Sequence, residues 1–230
     1  MSAESAVPAR FLHVQPADHP TPFPWPGSAV PDGFPDEDSR LLASLNAARA
    51  GNVVAFEAIY RALAPRLARY ARGLVGQDGD DVAAEAWLQI VRDLDRFDGD
   101  WDAFRGWATR ILRNRAIDHL RAAARRPARA VTDDSLFDRA SSDDTAGAAE
   151  EALSTAAAID LIASLPPDQA EAVLLRAVVG LDANAAAGVL GKRAGAVRVA
   201  AHRGLKNLAR QLDAAAGSNG ARPDGAGGMT

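Results

Sequence analysis

The sequence predicts an all-α fold: two small helical domains joined by a flexible linker, the second containing a helix-turn-helix. Alanine is abundant and runs of β-branched residues are rare, which favours helix. Apolar residues recur at three- and four-residue steps through two long blocks of the chain. Residues 128–149, between the blocks, are acidic and have no such period, as expected of a tether between domains.

This pattern divides the 230 residues into five segments. Residues 1–38 contain eight prolines and no helical period, so we expect a disordered extension, with a partner-binding segment near Trp25 as the alternative. Residues 39–127 and 150–213 are the predicted domains, and residues 128–149 are the linker. The acidic linker either aids solubility or lies in a basic channel. Residues 214–230 form a Gly-rich tail that we expect to be disordered.

Short polar residues mark the predicted helix starts of the first domain. We expect Ser39 to cap one helix and Asn52 to cap the next, because their side chains can accept a hydrogen bond from a free backbone N–H. Pro65 lies inside the second helix and should kink or divide it. Asp80 opens a third helix, and Asp100 caps a fourth that runs to about residue 124.

The second domain ends in a helix-turn-helix pattern. A preceding helix is expected between Pro167 and Gly180. Asp182 can cap the first helix of the pair, Gly191 suits the turn, and the second helix starts near Ala194. Four apolar residues of that second helix are predicted to form one buried stripe: Val197, Ala201, Leu205 and Leu208.

Two of the predicted helices carry an excess of positive charge. Residues 183–212 contain six Lys or Arg and no acid, and residues 101–129 contain eight Arg against two Asp. A basic helix-turn-helix suits the major groove and its phosphates. Arginines interleaved with Trp101 and Trp107 suit a single strand whose bases stack on the rings. The alternatives are a solvated basic helix and core tryptophans; for Trp87 and Trp107 the core explanation is preferred.

Composition points away from an enzyme and from a membrane protein. There is no cysteine, and the four histidines show no metal-ligand spacing, so no catalytic site, metal site or cofactor is predicted. No apolar run approaches the roughly 18–20 residues that span a bilayer, so we expect a soluble, cytoplasmic protein without membrane insertion. The net charge of −4 does not exclude nucleic acid, because screening confines the field of each patch to about 10 Å.

Short motifs occur in the same order in both blocks as in one bacterial family. The first block contains DDVAAEAW at 80–87, DRFD at 95–98, FRGW at 104–107 and RNRAIDHLR at 113–121. The second contains LP at 165–166, LLR at 174–176, GL at 180–181, VLG at 189–191, GAVR at 195–198 and HRGL at 202–205. Over residues 39–212 the chain resembles the extracytoplasmic-function (group IV) sigma factors of RNA polymerase. It departs from them at Ala84, at Ala185 and Ala186, where the family usually has an acid and an Ile, and at Val199 and Ala200.

The resemblance implies a promoter-specificity factor with three binding surfaces. Core RNA polymerase would bind Asp81, Glu85 and Leu88, and paired carboxylates do suit a basic partner. The separated −10 strand of promoter DNA would bind Trp101, Arg110, Arg113, Asn114, Asp118 and Arg121, with a flipped base at the 97–101 loop. The −35 duplex would bind Lys192, Arg193, Arg198, His202, Arg203 and Lys206. An anti-sigma factor is a further partner implied by the resemblance.

Other interpretations of these residues remain open. Asp81 and Glu85 could cap and solvate their helix, and Asn114 and Asp118 could bond locally. Two other function classes are a helix-turn-helix regulator that works without core polymerase and a sigma-like adaptor that does not bind DNA. The Trp- and Arg-rich first block argues against the regulator, and the basic second block argues against the adaptor.

Overall fold

The computed structural model describes residues 37–125 and 146–219, and within these ranges it contains helices and no strand. The first domain comprises α1 (Glu37–Arg49), α2 (Val53–Val75), α3 (Gly79–Asp93) and α4 (Trp101–Arg125). The second comprises α5 (Ala146–Ala163), α6 (Pro167–Val173), α7 (Ala183–Leu190) and α8 (Ala194–Asn219). A π-helical segment, Leu174–Val179, continues α6, and 3-10 turns follow α2 and α3 at Gly76–Asp78 and Leu94–Arg96. The predicted all-α class is confirmed.

Side-chain caps begin three helices where the sequence predicts them. The Oδ1 atoms of Asn52, Asp100 and Asp182 each accept a hydrogen bond from the backbone N–H three residues on, at 3.0, 2.8 and 2.6 Å respectively. Gly180 and Gly191 adopt the left-handed conformation, with φ of 83° and 65°, and so end the helices before them as predicted. These local signals therefore set the starts of α2, α4 and α7 and the turn of the helix-turn-helix.

Three predicted helix boundaries are wrong. Ser39 lies inside α1, which starts at Glu37, where acidic residues favour the positive end of the helix dipole. Of the two outcomes expected for Pro65, a kink or a division of the helix, division is wrong: α2 continues to Val75 because buried Leu63 and Leu67 hold the turns on either side of it. The last helix, α8, extends to Asn219, beyond the predicted domain end at 213. The expectations for residues 1–36, 126–145 and 220–230 fall outside the described residues.

The larger of the two apolar clusters in the described residues runs through both domains, and a smaller one lies within the second domain. Within the first domain, α2, α3 and α4 pack around residues such as Leu63, Ile90 and Phe104. The same helices α2 and α4 also form the contact with the second domain: α2 lies against α5 and the π-helical segment, and α4 lies against α7. The prediction of two tethered domains did not include this docking, which covers one side of α4.

Candidate polymerase and nucleic-acid interface

The outer face of α3 carries two carboxylates followed by apolar side chains. Asp81, Glu85 and Leu88 are all exposed, and Leu88 has 67% of its surface accessible. Val91, one turn further on, extends the apolar part of this face. The opposite side of α3 is anchored by Trp87, whose ring lies 4.7 Å from the ring of Tyr60, centroid to centroid. The packing of α3 thus presents the predicted polymerase-binding residues together on one open surface.

The basic face of α8 is open as well. Arg198, His202, Arg203 and Lys206 are exposed, while Val197 and Ala201 are buried on the inner side. The inner side packs on α6, and Asn207 donates a hydrogen bond to the Gln169 side chain there, at 2.7 Å. This packing directs the four cationic or titratable side chains into solvent, where a duplex could reach them.

The turn before α8 supplies the remaining two predicted −35 residues. Lys192 and Arg193 are exposed. The Nζ atom of Lys192 lies 2.8 Å from Oδ1 of Asp168 at the start of α6. Because Asp168 is largely solvent-exposed, this pair is weak and a phosphate could replace the carboxylate.

One member of the predicted buried stripe on α8 is misplaced. Leu205 is 53% exposed, and Gly204 occupies the inward position instead. A Cβ atom at Gly204 would lie 2.7 Å from Cγ2 of Val173, so α6 and α8 approach too closely for a larger side chain there. Because the two helices come closest at Gly204, the side of α8 that contacts α6 passes through this glycine and not through Leu205. The spacing of apolar residues alone could not reveal this shift.

All six predicted −10 residues lie on α4, with unequal exposure. Arg110, Asn114 and Arg121 are half-buried and Asp118 is exposed. Nη1 of Arg121 lies 3.6 Å from Oδ1 of Asp118, one turn earlier on the same helix. This arrangement fits the alternative that Asp118 bonds locally, and it leaves the arginine side chain near the surface. Arg113, in contrast, is buried.

Trp101, the sixth, is a core residue. Its ring is 4% exposed and stacks on Phe104, with centroids 5.6 Å apart. Phe97, at the other end of the predicted base-binding loop, packs against Phe104 and Trp107 at 5.4 and 5.1 Å. The expectation that the Trp101 ring lies on the surface beside the arginines is therefore wrong. The core role preferred for Trp87 and Trp107 is confirmed.

Arg113 is buried because it pairs with the second domain. Its Nε atom donates a hydrogen bond to Oε1 of Glu171 at 2.6 Å, and Nη2 donates to Oε2 at 3.4 Å. The Tyr70 hydroxyl donates to the same Oε1 at 3.1 Å. Burial, the largest single influence, would lower the pKa of Arg113, but the charges and hydrogen bonds of Glu171 and Tyr70 together outweigh it, so the pKa is raised. Burial, reinforced by that carboxylate, raises the pKa of Tyr70 well above its ordinary value.

Sequence reasoning missed this cluster of Tyr70, Arg113 and Glu171, which we call the interdomain cluster. Glu171 lies 58 residues from Arg113 and belongs to the other domain. A second contact has the same character: Nη1 of Arg105 donates to the Gly180 carbonyl oxygen at 3.3 Å. No local signal marks these residues, since their roles depend only on how the two domains dock.

The described ranges contain no helix with the length and apolarity needed to cross a bilayer. Nor do they hold a group of three or more side chains suited to binding a metal ion.

Two family models match the chain, one on each domain. The model described as Sigma-70 region 2 matches residues 59–126, and that described as Sigma-70, region 4 matches residues 155–208. The first match includes α3 and α4, and the second includes α6, α7 and the basic part of α8. The three surfaces described above therefore all lie within matched segments.

Curated relatives and a solved structure agree with these matches. The ECF RNA polymerase sigma factor SigD of Mycobacterium tuberculosis is 35% identical over 188 residues, covering 78% of this chain and 87% of the relative. ShbA of Streptomyces griseus, also an ECF RNA polymerase sigma factor, is 33% identical, covering 75% of this chain and 95% of the relative. The structure of CnrH in complex with the cytosolic domain of CnrY is similar, with a TM-score of 0.54 and 26% identity, covering 76% of this chain and 98% of that one. The chain belongs to the extracytoplasmic-function family of RNA polymerase sigma factors, which are promoter-specificity factors.

Proposed function

We propose that three helix faces divide the work of promoter recognition in this sigma factor. The α3 face binds core RNA polymerase, the arginine side of α4 binds the separated −10 strand, and the basic face of α8 binds the −35 duplex. The protein acts by binding rather than by catalysing a reaction, in the cytoplasm with its polymerase. The observation that carries the proposal is that α3, α4 and α8 each present a distinct charged surface within the two matched segments.

The polymerase surface is supported by its mixture of charge and apolar area. Asp81 and Glu85 supply negative charge for a basic partner, and the exposed Leu88 beside them offers apolar area for contact. None of these side chains is used in the docking of the two domains, which involves α2 and α4. The face is therefore available whether or not the domains are docked.

The −35 surface is supported by the geometry of the helix-turn-helix. The Gly191 turn sets α8 against α7. The α8 helix presents Arg198, His202 and Lys206 outward at steps of one turn, with Arg203 beside them. Lys192 and Arg193 extend the positive surface to the turn. We assign base contact to Arg198, near the N-terminal end of α8, and phosphate contact to Lys206, farther along it.

The −10 surface comprises Arg110, Arg113, Asn114, Asp118 and Arg121. Arginine guanidinium groups suit phosphates and stacked bases of a single strand. Trp101 is buried in the core at the start of α4, where it stacks on Phe104, and it is not assigned a contact with DNA. Arg113 can take part only after it leaves Glu171.

An anti-sigma factor is a further proposed partner. Support comes from CnrH, whose similar structure was determined in complex with the cytosolic domain of CnrY. A protein that bound this chain across both domains would compete with polymerase or promoter for the same exposed surfaces.

Charge reversal on α3 tests the polymerase surface. We expect Asp81→Lys with Glu85→Lys to abolish pull-down of core RNA polymerase and run-off transcription, because a basic partner would be repelled. Glu57→Lys is the matched control, since Glu57 is an exposed acid on α2 that pairs only with Arg61 one turn away, at 2.6 Å. Undiminished pull-down by the double variant would eliminate the assignment.

A further inference from the structure

We propose that Val199 reads a thymine of the −35 element, by packing against the C5-methyl group that thymine presents in the major groove. This inference rests on the proposed function of α8 and deepens it, because it names the base that the centre of the basic face recognises. The phosphate contacts of the surrounding cations carry no sequence information, whereas an apolar side chain placed among them selects one base.

The side chain of Val199 points directly away from the core of the second domain. It is two residues from buried Val197 and two from buried Ala201. Two residues turn an α-helix by about 200°, so Val199 lies on the side opposite to both. Half of its surface, 50%, is accessible. It therefore projects from the outermost line of α8, close to the N-terminal end, and this is the part of a recognition helix that contacts base edges.

Cationic or titratable side chains surround Val199. His202 and Arg203 follow it by three and four residues, so they lie on its two sides one turn later. Lys206 lies in line with it two turns on, and Arg198 immediately precedes it. All four are exposed. These charges attract phosphates on both sides of the groove, which leaves the apolar side chain between them facing the bases.

Gly195, one turn before Val199 on the same face, lets DNA come close enough for so short a side chain. A Cβ placed on Gly195 would meet no atom within 4 Å, and this glycine does not adopt a positive φ. Neither packing nor backbone conformation requires glycine here, and glycine lowers the stability of a helix relative to alanine. Ala196 beside it is small and exposed as well. The absence of long side chains at these two positions allows the backbone of α8 to approach the groove.

The chemistry of the base edges favours thymine opposite Val199. In the major groove thymine alone presents a methyl group, and apolar side chains contact that group. Valine has no side-chain donor or acceptor, so a guanine or cytosine edge against it would lose hydrogen bonds to water without replacement. Valine also has a lower helix propensity than alanine or arginine. The stability of α8 therefore does not account for valine at this exposed position.

Removal of single methyl groups from the DNA tests the proposal. The full-length protein bound to core RNA polymerase, the holoenzyme, first selects its −35 element from promoter duplexes randomised over that element. Each thymine of the selected duplex is then replaced, one at a time, by deoxyuridine, which lacks only the methyl group. We expect one replacement to weaken binding of the wild-type holoenzyme by about three- to fivefold. Val199→Ser should remove this deoxyuridine penalty.

Leu205→Ala is the matched control. Leu205 is a similarly exposed apolar residue of α8, but it lies about 120° around the helix from Val199, so its variant should keep the full deoxyuridine penalty. A selected element without thymine, or no penalty at any thymine with the wild-type protein, would overturn the proposal. A penalty that persists in Val199→Ser would do the same. If the wild-type holoenzyme selects no −35 sequence at all, the proposed function of α8 fails instead.

A second variant tests the close approach of the helix to the groove. Gly195→Leu places its side chain in open space, so the melting temperature of the free protein should be unchanged or higher. The same side chain would hold α8 away from the bases, so we expect affinity for the selected duplex to fall by about tenfold and the deoxyuridine penalty to disappear. Gln211→Leu, at an exposed position more than four turns farther along α8, should change neither. A full penalty in Gly195→Leu would reject the proposed contact.

Discussion

The α4 and α8 helices both carry an excess of arginine, yet the structure treats them in opposite ways. The outer side of α8 is open to solvent from Arg198 to Lys206, and its inner side packs mainly on α6 and α7 of the same domain. On α4, the central arginine is buried under the other domain and paired with Glu171. Charge along a helix therefore indicates the kind of ligand that it suits, whereas the docking of a distant segment decides whether that ligand can reach it.

The difference follows from what lies opposite each helix. Among the described residues, the one acidic side chain that pairs with a predicted −35 residue is Asp168, which is exposed and pairs with Lys192 in the turn. A water-screened pair of this kind contributes little. The partner of Arg113 is 8% exposed at its side chain, and its oxygens accept hydrogen bonds from both Arg113 and Tyr70. Because the Glu171 carboxylate is buried and accepts hydrogen bonds from two residues of the first domain, this contact fixes how the two domains are arranged.

The largest expected effect comes from breaking the buried ion pair between Arg113 and Glu171. Either Arg113→Met or Glu171→Leu alone leaves the charge of the remaining partner buried and unpaired. Each should therefore lower the free energy of unfolding by up to about 3–5 kcal/mol. The loss is limited by the free energy of docking, because separation of the domains rehydrates the stranded group. The double variant should recover most of this loss. Urea denaturation of the full chain measures all three, and simple addition of the two single effects would contradict the pairing.

Substitutions on the exposed basic face of α8 should have a smaller effect, and it should be seen in the affinity for duplex DNA. If Arg198 reads a base, Arg198→Ala should weaken −35 duplex binding by about 1–3 kcal/mol and relax specificity at one position. Lys206→Ala should weaken all sequences alike and reduce the slope of log affinity against log salt by about 1. Fluorescence anisotropy with a set of single-base-pair variants, repeated over a salt series, separates the two. A uniform loss in Arg198→Ala would reassign it to phosphate.

The smallest effect concerns the side of α8 that is not buried. Leu205→Ala should change stability by no more than about 0.5 kcal/mol, because the side chain is already in water. Val197→Ala, on the buried side of the same helix, should cost about 1.5–3 kcal/mol. Thermal denaturation of both variants provides the comparison. A large loss of stability in Leu205→Ala would mean that the stripe predicted from the sequence, with Leu205 buried, is correct.

Much of the local structure follows from residues close together in the chain. Asn52, Asp100 and Asp182 cap the helices that they were predicted to cap, and the motifs at 80–87 and 189–205 place the two domains in their family. Short-range signals succeed here because a cap needs only a side-chain acceptor and a free N–H three residues away. The exposure of the α3 and α8 faces follows in the same way from helical period.

What depended on contacts across the chain was not predictable in this way. The burial of Trp101 depends on the apolar core that encloses it, and the inward place of Gly204 depends on Val173 of α6. The spacing of apolar residues identifies a helix face to within one residue or so. The distance at which a neighbouring helix passes then decides which side chain is enclosed.

The sequence by itself determined that this protein is a two-domain helical sigma factor with acidic and basic helix faces, because period, caps and motifs are properties of neighbouring residues. Tertiary structure alone decided that Arg113 is enclosed with Glu171 and Tyr70 while the arginines of α8 are exposed. The physical reason is that desolvation depends on everything packed around a charge. For Arg113 that surrounding comes from a segment 58 residues away.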